Sequence, residues 1–312
     1  MKPLANDQIR GTWATLLLPI GEQDDIRYDE LATEIDSLIQ FGVDGIYSNG
    51  TAGEFYNQTE AEFDTISEML ATRCNAAGMP FQLGVSHMSP LLSLERAKRA
   101  VALKPGAIQV ILPDWYPTID EEAIRFLDRM AEFCDPIGLV LYNPPHAKRV
   151  LSMETIGRLK ETIPALVGVK VADGNEAWYE SMRLHATDLS IFVPGHHLAT
   201  GVRSGAHGSY SNMACLHPLA AQHWYQLMKT DPVAAQEVEK RIGLFLEQYI
   251  LPYITVKAYS SPAVDKLFAA IGGWSPVSTR LRWPYRSVPM EDVGELRLIA
   301  QQILPEFFMA DS

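Results

Sequence analysis

Apolar and polar positions along the 312-residue chain alternate between two rhythms. Short, nearly continuous apolar runs occur at Thr12–Leu18, Gly45–Ser48, Phe81–Val85, Ala107–Leu112, Gly138–Tyr142, Leu166–Val171, Ile191–Val193 and Gly208–Ser211. Runs without strict alternation are what parallel strands buried on both faces require. Between them lie stretches of helical period; Leu31, Ile35, Leu38 and Ile39 share one helical face. Thr59 with Glu62, and Thr118 with Glu121, read as capping boxes at helix starts. Eight strand–helix units predict an α/β fold, a closed (β/α)8 TIM barrel rather than an open doubly wound sheet. No Gly-x-Gly-x-x-Gly follows the first strand, as the open dinucleotide-binding sheet would need. From about His217 the pattern is helical only. The expected organisation is a barrel over residues 1–225 that carries the site, followed by a helical extension over 226–312.

Composition and charge narrow the partners. Hydrophobic residues make up 47% and charged residues 21%, an ordinary globular balance. The net charge of −12 argues against nucleic acid as a partner. A small anion needs only a local positive field, so an acidic chain can still bind one. No apolar run is long enough for a membrane helix, and Met-Lys-Pro-Leu-Ala-Asn-Asp at the start lacks the apolar core of a signal peptide. Cys74, Cys134 and Cys215 show no metal spacing and read as reduced thiols of a cytoplasmic protein.

In such barrels chemistry sits at the C-terminal strand ends. There the chain carries Asn49-Gly50-Thr51-Ala52-Gly53-Glu54, Pro113-Asp114-Trp115-Tyr116, Tyr142-Asn143-Pro144-Pro145, Lys170, and Pro194-Gly195-His196-His197. Lys170 lies in the otherwise apolar strand Leu166–Val171. In a dry barrel mouth an amine loses hydration and becomes available as a nucleophile. A lysine at a strand end with its head in solvent fits the same pattern. Tyr142 could shuttle protons to and from a reacting carbon, or be a core tyrosine with a satisfied hydroxyl. The turn through Gly50, Thr51 and Ala52 could aim backbone N–H groups at a substrate carboxylate, or simply reverse the chain.

Gly50-Thr51-Ala52-Gly53-Glu54, Tyr142-Asn143-Pro144-Pro145 and Gly168-Val169-Lys170, in that order and spacing, resemble the dihydrodipicolinate synthase / N-acetylneuraminate lyase family of class I, Schiff-base aldolases. The resemblance runs from Gly11-Thr12-Trp13-Ala14-Thr15 to the regions of Val256-Lys257 and Arg280-Leu281. It implies that Lys170 forms the Schiff base with a 2-keto acid, that Tyr142 is the proton shuttle and that the Thr51 hydroxyl relays protons. It also implies that the N–H groups of Thr51 and Ala52 hold the substrate carboxylate and that the carbonyl of Tyr210 faces the nascent hydroxyl. No metal and no organic cofactor is called for, and a homodimer or homotetramer is expected.

The chain departs from the family at several positions. Ala52 replaces a second hydroxyl residue. Trp115 stands where the synthases use a tyrosine relay across a dimer interface, and indole cannot shuttle a phenolic proton. Ala147 stands about where the synthases carry an arginine for a distal carboxylate, although Arg149 lies close enough to serve. His196 and His197 occupy the place of an acidic pair that contacts sugar hydroxyls in sialic-acid lyases. Asn212 is a further candidate hydroxyl contact. These residues favour an aldolase or dehydratase acting on pyruvate or a hydroxylated 2-keto acid, such as a 2-keto-3-deoxy sugar acid. Dihydrodipicolinate synthesis and a non-catalytic barrel that binds a keto acid or sugar acid are the alternatives.

Overall fold

The computed structural model describes residues 1–309. Eight parallel strands close into a barrel in sequence order: β1 (Gly11–Thr15), β2 (Gly45–Ser48), β3 (Phe81–Gly84), β4 (Ala107–Val110), β5 (Leu139–Asn143), β6 (Leu166–Val171), β7 (Ser190–Phe192) and β8 (Gly208–Tyr210). With helices between the strands this is a TIM barrel, as the apolar runs predict. The first run is shorter than expected. After Leu16 bonds the Tyr47 carbonyl, the Leu17 N–H turns to Glu34 Oε1 at 2.8 Å instead of a neighbouring strand. Leu16, Leu17 and Leu18 are therefore buried without being strand.

The helices are α1 (Tyr28–Phe41), α2 (Glu60–Ala77), α3 (Pro90–Ala102), α4 (Asp120–Cys134), α5 (Met153–Thr162), α6 (Glu176–His185), α7 (Leu198–Arg203), α8 (Asn212–Leu216), α9 (Pro218–Thr230), α10 (Pro232–Phe245), α11 (Leu251–Thr255), α12 (Ser261–Gly272) and α13 (Glu291–Ile303). Among the described residues no helix is long and apolar enough to cross a membrane. The Thr59–Glu62 capping box forms. The Thr118–Glu121 box does not: α4 starts one residue later, and Glu122 reaches back to the Ile119 N–H at 3.0 Å. The Thr118 carbonyl is held by Arg149 at 2.7 Å, which keeps Thr118 outside the helix.

Two cores result. The outer one fills the space between strands and helices. The inner one packs Trp13, Tyr47, Val140, Phe192 and Tyr210 inside the barrel, with ring pairs 4.5 to 6.4 Å apart. This aromatic plug closes the barrel below the site, as layered side chains do in this fold. The late helices then fold back over the strand ends. Helix α12 packs on α8, and a Cβ at Gly272 would meet the Leu216 carbonyl at 1.7 Å, so only glycine allows that approach.

Candidate active site

Parallel pairing sets Tyr142 of β5 directly beside Lys170 of β6. Lys170 Nζ lies 4.2 Å from the Tyr142 ring centre, 5.2 Å from that of Tyr47 and 5.3 Å from that of Tyr210. It donates a hydrogen bond to the Tyr47 hydroxyl at 3.1 Å. A cation among three aromatic faces is stabilised by their quadrupoles. Lys170 opens into a cavity of about 280 Å³ whose wall includes Thr51, Ala52, Tyr142, His196, Asn212 and Asp265. Sequence reasoning missed Tyr47, which reads as one more apolar position of β2. The available signal was a hydroxyl-bearing ring in a strand otherwise built of small and aliphatic residues.

The turn after β2 is shaped by backbone geometry. Asn49 and Glu54 both adopt the left-handed conformation, at φ 56 and φ 52. Gly50 presses on Tyr47, and a Cβ there would lie 2.5 Å from the Tyr47 hydroxyl. Thr51 and Ala52 face the cavity, and among the described residues neither N–H has a partner. Two free N–H groups in succession are suited to an anion. Beneath them Glu54 is buried and pairs with the buried Lys266 of α12 at 2.6 Å, while its other oxygen accepts from the Arg282 N–H at 3.1 Å. The turn is thus tied to the helix that covers the barrel mouth.

Burial pushes the phenols up. Tyr142 is raised by desolvation, with the Lys170 charge opposing it, and Tyr47 and Tyr210 are raised by the same cause. All three phenols therefore carry their protons at neutral pH. The Tyr210 hydroxyl bonds Gln82 at 2.5 Å, inside the barrel.

The two histidines divide. His196 lines the cavity, bonds Asn212 at 3.1 Å, and is pushed down to about 4 by burial and by His197. His197 is exposed and lies outside the Lys170 cavity. Its Nδ1 sits 3.1 Å from both oxygens of Asp173, which hold the imidazole up. The sequence showed no acidic partner for this pair; folding supplies Asp173 from the end of β6. Among the described residues no three metal-ligating side chains gather.

Arg149 is committed elsewhere, pairing with Asp120 and donating to the Thr118 carbonyl. It lines a second, largely apolar chamber of about 570 Å³ that shares Thr51, Tyr142, His146 and Ser261 with the Lys170 cavity. Trp115 and Tyr116 lie on the surface, 76% and 85% exposed, and line neither chamber.

A lysine on β6, a tyrosine beside it on β5 and an anion-ready turn after β2 define a barrel with one chemically equipped mouth. Residues 8–302 match the model of the dihydrodipicolinate synthetase family, and the chain belongs to that family. It is 24% identical over 305 residues to an N-acetylneuraminate lyase of Escherichia coli (strain SMS-3-5 / SECEC), covering 96% of this chain and 98% of that one. Its fold matches YagE, a prophage protein of the dihydrodipicolinic acid synthase family from E. coli K12 in complex with pyruvate. That match has a TM-score of 0.83 and 20% identity, over 95% of this chain and 98% of YagE. It also matches a catalytic lysine mutant of Ruminococcus gnavus sialic acid aldolase, at TM-score 0.83 and 17% identity over 98% and 100% of the two chains.

Proposed function

We propose that the protein is a Schiff-base lyase, an aldolase or dehydratase for pyruvate or a hydroxylated 2-keto acid of the 2-keto-3-deoxy sugar acid type. The observation that carries this reading is the placement of Lys170 Nζ in a cavity between three protonated phenols and two free backbone N–H groups. The substrate carboxylate docks on the Thr51 and Ala52 N–H groups, held by the turn at Gly50. Lys170 attacks C2 as the neutral amine; one Nζ proton and one proton from Tyr142 pass to the C2 oxygen, which leaves as water. Thr51 relays protons to Tyr142. The resulting iminium draws in the electron pair of the C3–C4 bond as deprotonated Tyr142 takes the C4 hydroxyl proton and C4 leaves as an aldehyde; in the dehydration, loss of a C3 proton gives an enamine that expels a hydroxyl further along as water. The Tyr210 backbone carbonyl, His196 and Asn212 contact the hydroxylated tail, and His197 orients the end of β7 from outside the cavity. The lysine supplies the electrophile, so the step calls on no cofactor. N-acetylneuraminate lyase among the relatives and pyruvate bound to a structural neighbour support the same class of reaction. The engagement of Arg149 by Asp120 weighs against the synthase alternative, which needs a free distal cation.

Supplying 2-keto-3-deoxy sugar acids and following products tests this reading. Release of pyruvate marks aldol cleavage, and loss of water with the carbon chain intact marks dehydration. Tyr142→Phe is expected to lower kcat by about 10²- to 10³-fold, the size of a lost general acid. Unchanged kcat would remove Tyr142 from the mechanism.

The protein is further proposed to work in the cytoplasm, where its three free, buried cysteines stay reduced. It is also proposed to work as a homodimer or homotetramer. Adjacent exposed aromatics mark contact surfaces, so Trp115 is expected to be covered by a second copy. Sedimentation at micromolar concentration should show a dimer or larger, and Trp115→Glu should shift it toward monomer. A monomeric wild type would contradict this.

A further inference from the structure

The proposed chemistry requires a group that moves the proton on C3, the carbon next to the imine, and the phenols are poorly suited to accept it. They are raised by burial, and once Thr51 has returned a proton to Tyr142 all three hold their protons. His196 is a weak base with its Nδ1 turned to Asn212. One carboxylate faces the same cavity. Asp265 is delivered by α12, one helical turn after Ser261, and both residues line the wall around Lys170. Among the described residues its carboxylate makes no hydrogen bond and no close ion pair, although it is partly buried. An unpaired carboxylate on a cavity wall is available to a ligand bound there.

We propose that Asp265 is a catalytic residue of this cavity, taking the proton from C3 of the Lys170-bound iminium and returning it to the enamine. This rests on the Schiff-base reading of Lys170. In the forward step the C3–H bond breaks and its proton goes to an Asp265 carboxylate oxygen. The C–H electron pair becomes the C2–C3 double bond, and the C2–N π pair returns to nitrogen. A cation and an anion become two neutral groups, a change that a low-dielectric cavity favours. After carbon–carbon cleavage the carboxylate first takes up a proton from water, and protonation of the enamine then runs the same step backwards. The titratable groups around Asp265 are Lys170 of β6, Tyr47 of β2, Tyr142 of β5, Tyr56 after β2, Cys215 of α8 and His196 after β7, with His197 and Glu247 across an adjoining cavity that Asp265 also lines. Burial raises the Asp265 carboxyl to about 6, with the Lys170 charge opposing the shift. A base must be unprotonated to act, so exchange should fall as pH drops through about 6.

Pyruvate in D2O isolates this step without the natural substrate, because enamine formation exchanges its methyl protons, which proton NMR follows. In parallel, borohydride trapping reports the imine. Wild type is expected to exchange and to trap. Asp265→Asn should trap pyruvate on Lys170 while exchanging about 10²-fold more slowly or worse, with the acid limb gone. Asp265→Glu, which keeps the carboxylate, should exchange faster than Asp265→Asn. Exchange by Asp265→Asn within a few-fold of wild type, with trapping intact, would overturn the proposal and leave the Schiff base standing. So would a folded Asp265→Asn protein that no longer traps, since that places Asp265 before the imine. A wild type that does not trap would overturn the Schiff-base reading and this proposal together.

Discussion

Lys170→Ala is expected to remove turnover of 2-keto acid substrates by at least about 10⁴-fold, in the range seen when a covalent nucleophile is lost. Every step of the proposed reaction runs through Nζ, so no neighbour can substitute. Tyr47 and Tyr142 are phenols held above their usual range by burial. Lys266 is sealed in its pair with Glu54. The fold should tolerate the change, because Lys170 is only partly buried. Lys170→Arg separates two explanations. Arginine keeps the positive charge and the donor to Tyr47 but stays protonated and cannot add to a ketone. Both variants should be folded by circular dichroism and inactive. Substantial activity in Lys170→Arg would mean that the lysine acts only as a charge.

Lys266→Ala is expected to destabilise the protein by about 3–5 kcal/mol, read as a lower urea midpoint. Its ammonium and the Glu54 carboxylate are buried, with side chains 0% and 1% exposed and atoms 2.6 Å apart. Lys266 also donates to the Arg280 carbonyl at 2.6 Å. Removing it leaves Glu54 as an unpaired buried charge and leaves that carbonyl without its donor. Lys266→Met combined with Glu54→Gln should recover much of the loss, since no lone charge remains and the glutamine oxygen can still accept from the Arg282 N–H. If the single and double variants unfold alike, the pair is not the source of the effect. Glu54 anchors the turn that presents Thr51 and Ala52, so the single variant should also bind pyruvate more weakly.

The eight strands were legible because parallel strands buried on both faces carry a strong local signal. The positions of Lys170 and Tyr142 followed from counting to the strand ends, and their register places them side by side. What local pattern cannot carry is how distant segments return. Asp265 lies on a helix of the extension, outside the strand ends where barrel chemistry is sought, and reaches the mouth only because α12 folds back over α8. Asp173 became the partner of His197 for the same reason. The start of α4 was misplaced by one residue because the Thr118 carbonyl is claimed by Arg149, a contact across 31 positions. That same tie engages Arg149, for which its place in the sequence left a distal-cation role open.

The central claim is that Lys170 forms an imine with a 2-keto acid. Incubation with pyruvate, reduction with borohydride and peptide mapping by mass spectrometry tests it most directly. A pyruvate-derived adduct on Lys170, absent from Lys170→Ala and dependent on borohydride, is the expected result. A folded wild-type protein that gives no adduct with pyruvate or with longer 2-keto acids, or carries one only on another lysine, would contradict the account.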